Sequence, residues 1–365
     1  MRLQVTAEVV QQYVEELGRT LTAKFNLTTK DVLRLIEANG GPYGLDLSDC
    51  NLNGTDFSPD TIRAMRDAHR EENERDPPWI SHAPDAAYLY DVRLNRAQLS
   101  AANLTGAVLS FAQLNGATLH RADLRGAILV GTQLADAEFF RAELRGVDMY
   151  DVPSLEGVRW ASAVIDHTRM RRDQLGRSIG DELTAHENPS PRAYHEASES
   201  YLLHKNNFLS LGRYEDAAWA YIKEQQMEKM AYRSEWRAHG WHLWKAWGSL
   251  WRWLRNWSYE LLTGYGERTW MPVLWAIAVI LAFATGYAVA GNISPDFAGD
   301  PATAQGSHDF LDALTHSIGA FATIGFNTLE PLGWGARLLT AIESALGVSL
   351  FALFIFTLGN RMSRS

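Results

Sequence analysis

This chain of 365 residues has a single cysteine, Cys50, so neither an intrachain disulfide nor a cysteine-ligated metal cluster is possible. It lacks an excess of basic charge: 34 Lys and Arg stand against 43 Asp and Glu, giving a net charge of −9. A general nucleic-acid binder carries a basic footprint, so that class is disfavoured and no nucleic-acid partner is expected. Met1–Gly40 holds no apolar core of the kind a secretory signal needs. No nucleophile–base constellation, metal-ligand spacing or phosphate-cradling loop is found, so neither an enzyme nor a bound cofactor is expected. Mean hydropathy is slightly negative, which confines any membrane part to a minority of the chain.

What the chain has instead is a five-residue period. Leu47, Leu52 and Phe57 stand five apart, with Leu45, Cys50 and Thr55 two residues before each. A charged insertion, SPDTIRAMRDAHREENERDPPWISH, interrupts the period; it reads as an exposed helix ended by Pro77-Pro78. The period then resumes for thirteen units, centred on Leu89, Leu94, Leu99, Leu104, Leu109, Leu114, Leu119, Leu124, Leu129, Leu134, Phe139, Leu144 and Met149. Small residues such as Ala97, Ala102, Ala107 and Ala112 lie two before most of these centres. Neither the 3.6-residue helix nor the two-residue strand gives strict fives. A chain that turns a corner every five residues does, with one large and one small residue pointing inward on each side. Cys50 occupies a small inward position and reads as a buried core thiol.

Segments such as Ala102-Asn103-Leu104-Thr105-Gly106 and Ala122-Asp123-Leu124-Arg125-Gly126 resemble the pentapeptide-repeat proteins. That resemblance implies a right-handed quadrilateral β-helix with four units per coil, spanning 41–168 with a helical insertion at 58–85. Some members of that family mimic DNA with an acidic face. Here six acids (Asp91, Asp123, Asp136, Glu138, Glu143, Asp148) meet six arginines (Arg93, Arg96, Arg121, Arg125, Arg141, Arg145), a balance that argues against mimicry.

The C-terminal quarter is of another kind. Met271–Ala290 is twenty residues without a charge, and Leu338–Gly359 is twenty-two residues with one charge, Glu343. About 20 apolar residues span a bilayer, so both qualify. Between them, Asp309–Ala322 is a short amphipathic run followed by Thr323-Ile324-Gly325-Phe326-Asn327. Span, short helix, T-x-G-aromatic, return and span is similar to the two-transmembrane pore-loop family of potassium channels. The resemblance covers Met271 to Arg361. It implies that four chains, a homotetramer in the lipid bilayer, turn filter carbonyls inward to replace the hydration shell of a permeant monovalent cation, potassium being expected. Thr323, Ile324, Gly325 and Phe326 match the first four filter positions. Asn327 replaces the last glycine. Asparagine tolerates the left-handed region next best after glycine, so the backbone path can survive. Selectivity stays open between a potassium channel and a non-selective cation channel. A membrane-anchored interaction scaffold without conduction is the third reading.

Basic residues set the orientation. Lys245, Arg252, Arg255 and Arg268 precede the first span, Arg361 and Arg364 follow the second, and Gly291–Asp312 contains no Lys or Arg. Both termini are therefore expected to be cytoplasmic, in the cell membrane. Asp309 and Glu330 then lie at the outer mouth, where acids raise local cation concentration. Glu343, the one ionisable group inside a span, is expected either to brace the loop, through Arg337 or the filter backbone, or to bind ions. Gly347 serves either as a gating hinge or as a close-packing point. His316, on the pore helix, is either a pH sensor or a satisfied histidine.

The remaining segments complete the expected organisation. Residues 1–40 form a helical cap of two short helices, the second starting at Thr29. Residues 169–235 hold a linker and a helical hairpin, a possible site for a cytosolic protein partner together with the solenoid. Residues 236–270 hold eight of the thirteen tryptophans and read as a helix lying in the inner membrane interface. In 271–365, the spans are 271–290 and 338–359, the pore helix 309–322 and the filter 323–327. Gly264-Tyr265-Gly266 reads as a flexible joint.

Overall fold

The computed structural model describes residues 26–73, 77, 87–238, 243–291, 293–294, 308–323, 330–331 and 333–362. The first helix expected in 1–25 lies outside these. The chain divides into two compact units, Met1–Leu250 and Trp251–Ser365.

In the first unit, the five-residue period becomes a coil with a twenty-residue turn. Tyr88 pairs with Val108, Arg93 with Gln113, Gln98 with Thr118 and Asn103 with Asp123, all parallel. Each pairing is a single isolated bridge; no longer strand forms among the described residues of this unit. The reason is geometric, because a corner follows each bridge before a second pair can form. Those corners place non-glycine residues such as Ala101, Phe111, Arg121 and Arg141 at φ between 57 and 59°, alternating with glycines such as Gly106 and Gly126. The period-five centres from Leu89 to Met149 are buried, with the alanine ladder beside them. Each such leucine stabilises the fold by about 1.5–3 kcal/mol. Cys50 lies in the same core, and burial pushes its thiol up to about 11.

The coil absorbs two irregularities. Asp46 pairs with Arg93, so the insertion loops out without breaking the ladder. Its helix, α2, covers Pro59–Asn73. From Glu138, which pairs with Arg159, the step lengthens by one residue, matching the extra residue at Pro153-Ser154. At the N-terminal end, α1 (Thr29–Ala38) starts from a capping box between Thr28 and Asp31.

At the other end, the structure corrects one expectation. The polar stretch after 168 is not a linker but a cap. A coil that stops leaves carbonyls without donors, and a polar side chain is what satisfies them. Gln174 Nε2 donates to the carbonyls of Met149 (2.8 Å), Tyr150 (2.9 Å) and Val152 (2.6 Å). A short helix, α3 (Gly180–Glu187), follows, and the Gly180 N–H donates to Val158 O at 2.9 Å. A Cβ on Gly180 would lie 2.0 Å from the Gly157 carbonyl, so only glycine fits there.

The expected hairpin forms from α4 (Pro191–Ser210) and α5 (Tyr214–Ala238). Asn207 donates to Thr168 O (2.8 Å) and Arg213 to Met170 O (2.6 Å), fastening the hairpin to the last coil. Lys223 reaches both carboxylate oxygens of buried Glu182 at 3.0 Å. His204 is fully buried edge-on against Trp160, 5.0 Å between ring centres.

Helix α6 (Leu243–Thr263) begins in the first unit and ends in the second, and it exposes Trp247, Trp251 and Leu254 along one stripe. The expected joint is a built turn rather than a loose one. Gly264, Tyr265 and Gly266 all take positive φ, and Tyr265 is buried with its hydroxyl donating to Asn256 at 3.0 Å. The first membrane-capable helix, α7, covers Trp270–Ala290. A two-residue strand β1 (Ile293–Ser294) follows, then the short helix α8 (Phe310–Phe321), within the expected 309–322, strand β2 (Glu330–Pro331) and the second long helix α9 (Gly333–Met362). The helix α9 starts five residues before the expected span, because its first turn, containing Trp334 and Arg337, is helical without being apolar. Apolar residues such as Leu274, Leu281, Phe351 and Ile355 face outward on both spans.

Candidate functional site

Helix α8 is placed by its own sequence. Asp309 caps it, accepting the Leu311 N–H at 2.9 Å. Its buried positions are Ala313, His316, Ser317, Gly319 and Ala320, a stripe of mostly small residues. Small side chains let membrane helices approach closely and put their few hydroxyls within reach of a neighbour. The N-terminal side of the site is held by a short pairing: Ile293 lies opposite Pro331 and Ser294 opposite Glu330. The segment that returns after 329 is thus tied to the end of α7. His308 adds a second tie through its Nδ1, 2.9 Å from the Ala288 carbonyl. Gly291, at φ 61°, accommodates that ring; a Cβ there would lie 2.5 Å from it.

Glu343 stands at the centre of the helix contacts. It is fully buried, and its carboxyl meets the Tyr287 hydroxyl of α7 at 3.1 Å and the Ser317 hydroxyl of α8. Ser317 also reaches the Ile280 carbonyl at 2.9 Å. Thr340, one turn away on α9, lies 3.3 Å from the Tyr287 hydroxyl and 3.2 Å from His316 Nε2. Ser344 donates to the Ala320 carbonyl at 2.8 Å. The His316 ring stands edge-on to Tyr287, with 5.1 Å between centres. Arg337, one of the two expected partners of Glu343, is not among those found; the other, the filter backbone, lies outside the described residues beyond Thr323. Six residues along a helix places Arg337 around the cylinder from Glu343.

One turn further, Gly347 meets the end of α8. A Cβ at this position would lie 2.1 Å from the Phe321 carbonyl oxygen. Two residues after Phe321, Thr323 leaves the helix at φ 56°. The other expected filter residues, Ile324, Gly325, Phe326 and Asn327, lie outside the described residues. Asp309 is exposed, and Glu330 lies in β2.

The sequence did not single out Tyr287, Ser317, Thr340 or Ser344. A usable signal existed for one of them: Tyr287 is the only tyrosine in the uncharged run Met271–Ala290, facing the only charged residue of the other span.

Residues 273–364 match a family described as "Ion channel", and residues 85–121 and 119–152 match "Pentapeptide repeats (8 copies)". No curated protein sequence matches the chain. Solved structures similar to it include a pentapeptide-repeat protein of the Arabidopsis thaliana thylakoid lumen. That likeness is 26% identical, has a TM-score of 0.27, and covers 35% of this chain and 70% of that one. Another is HetL, a pentapeptide-repeat protein involved in heterocyst differentiation regulation in the cyanobacterium Nostoc, at 20% identity, TM-score 0.18, with 47% and 56% covered. A third is QnrB1, a plasmid-mediated fluoroquinolone resistance protein, at 16% identity, TM-score 0.19, with 41% and 60% covered. With TM-scores this low, the three structures carry no argument about this chain. The two sequence families do: this chain joins a pentapeptide-repeat segment to a two-transmembrane pore-loop segment of the ion-channel family.

Proposed function

We propose that the chain is one subunit of a homotetrameric cation channel of the cell membrane that prefers potassium, with both termini cytoplasmic. A single loop cannot encircle an ion, so four copies supply the filter. Carbonyls of Thr323, Ile324, Gly325 and Phe326 and the Thr323 hydroxyl coordinate the ion, and Asn327 shapes the outer end. Asp309 and Glu330 draw cations to the mouth. Glu343 braces the pore helix, and Gly347 seats its end. The cytoplasmic repeats form the right-handed square solenoid, a reading supported by single bridges at a twenty-residue step. Solenoid and hairpin assemble or gate the pore, and α6 lies in the inner interface, its exposed tryptophans at headgroup level.

The observation that carries this reading is the short helix α8, held between two membrane-capable helices by side-chain bonds and ending two residues before Thr323. The test is cation flux from liposomes loaded with potassium or sodium and containing the full chain, with Gly325→Ala as control. Potassium-preferring flux that the substitution abolishes, with assembly intact, is the expected result. Equal flux of both ions would remove the selectivity and keep the channel. Indifference to the substitution would favour a membrane-anchored scaffold.

A further inference from the structure

Glu343 joins helices α7, α8 and α9 through a cluster whose protons can be counted. The count deepens the bracing role proposed above and rests on that reading. Six hydrogen-bond contacts among the described residues make up the cluster. Ser317 Oγ meets the Ile280 carbonyl (2.9 Å) and the Glu343 carboxyl. The Tyr287 hydroxyl meets Glu343 (3.1 Å) and Thr340 Oγ1 (3.3 Å). Thr340 Oγ1 meets the Ala336 carbonyl (3.0 Å) and His316 Nε2 (3.2 Å).

Each contact needs one proton between its two electronegative atoms. The two backbone carbonyls have none to give. If Glu343 is a carboxylate, Ser317, Tyr287, Thr340 and His316 supply one proton each, leaving two contacts as facing lone pairs. A protonated carboxyl supplies a fifth. Ser317 then donates to Ile280 O, Glu343 to Ser317, Tyr287 to Glu343, Thr340 to Ala336 O, and His316 to Thr340. The one contact left without a proton is the longest of the six, Tyr287 to Thr340. Burial points the same way. Glu343 is fully buried, and no Lys or Arg pairs with it among the described residues. An isolated carboxylate in an apolar segment is among the costliest groups to bury. The titratable groups facing it are Tyr287 from α7 and His316 from α8. The Nε2 of His316 is directed at Thr340 and not at the carboxyl.

We propose that Glu343 is held as a neutral carboxylic acid, its hydroxyl donating to Ser317 and its carbonyl oxygen accepting from Tyr287, clamping the pore helix to both spans. It is a positioning residue and touches no ion. The side chain of Glu343→Gln keeps this order of bonds, since its amide N–H donates and its oxygen accepts. Glu343→Asp is one methylene too short to reach both helices.

The direct test is isotope-edited infrared spectroscopy of the full chain in lipid bilayers at neutral pH. A carboxylic-acid carbonyl band that disappears in Glu343→Gln, and moves to higher frequency in Ser317→Ala, is expected. Loss of a carboxylate band instead would overturn the proposal. In parallel, Glu343→Gln is expected to keep the thermal midpoint of the assembly, while Glu343→Asp lowers it; a Gln variant as weak as Glu343→Leu would also overturn it. The band does not depend on conduction. A band in a protein that passes no ions would retire the channel and keep the clamp, and a conducting protein showing only carboxylate would do the reverse.

Discussion

Replacing Gly347 by alanine decides between the two roles the sequence allows this residue, because they predict opposite signs. A hinge glycine weakens its helix, and alanine would return about 1 kcal/mol of helix stability. A seat for the pore helix behaves otherwise. The added Cβ would fall 2.1 Å from the Phe321 carbonyl oxygen, 3.0 Å from its carbon and 3.3 Å from its Cα, where ordinary contact begins near 3.4 Å. The obstructing atoms are backbone, which cannot rotate aside, so α8 and α9 must part by more than an ångström. Overpacking of this kind costs roughly 1–3 kcal/mol, and more where the neighbours are rigid. With rigid backbone in the way the upper end of about 3 kcal/mol applies, so after the helix term of about 1 kcal/mol is subtracted Gly347→Ala is expected to destabilise the assembly by about 2 kcal/mol per chain. Because the displaced atoms lie two residues from Thr323, conduction is expected to fall with it. Gly359→Ala is the control, since nothing lies within 4 Å of its added Cβ. Thermal unfolding of the purified full chain in nanodiscs gives the reading. A Gly347→Ala protein as stable as wild type, or more so, would refute the packing role and restore the hinge.

Two further expectations concern the first unit. Burial pulls the His204 imidazole from its ordinary 6.5 down to about 4, while its Nδ1 donates to the Ser200 carbonyl at 2.7 Å. The folded value lies below the unfolded one, so stability is complete above pH 6.5 and falls as acid approaches 4, by roughly 3 kcal/mol in all. His204→Phe should flatten that part of the pH profile of unfolding; an unchanged slope would contradict the assignment. At the coil corners, Gly126 has φ 69° and Ala101 has φ 57°. Gly126→Ala should cost about 1 kcal/mol, and Ala101→Gly should be neutral to stabilising, as read by denaturant midpoints.

Much of this was legible because the chain repeats. Leucine every fifth residue admits one core, and the ladder from Leu89 to Met149 forms as the period requires. Helix α1 was readable from Thr29 onward, and the spans from their length. Three features were not. The cap around Gln174 looked like a linker, since a polar residue that satisfies orphan carbonyls has the same composition as one that faces water. The first turn of α9, before the expected span at 338, was not read because hydropathy measures apolarity and not helix. The partners of Glu343 lie 26 and 56 residues away on other helices, and no local rule reaches that far.

The central claim is that loops of this chain, placed by α8, build a cation filter. Recording single openings from the full-length protein in a planar bilayer, with potassium on one side and sodium on the other, tests it most directly. Discrete openings that reverse at a potential favouring potassium, and vanish with Gly325→Ala, are predicted. An assembled protein that gives no openings, or whose openings persist in Gly325→Ala, would contradict it.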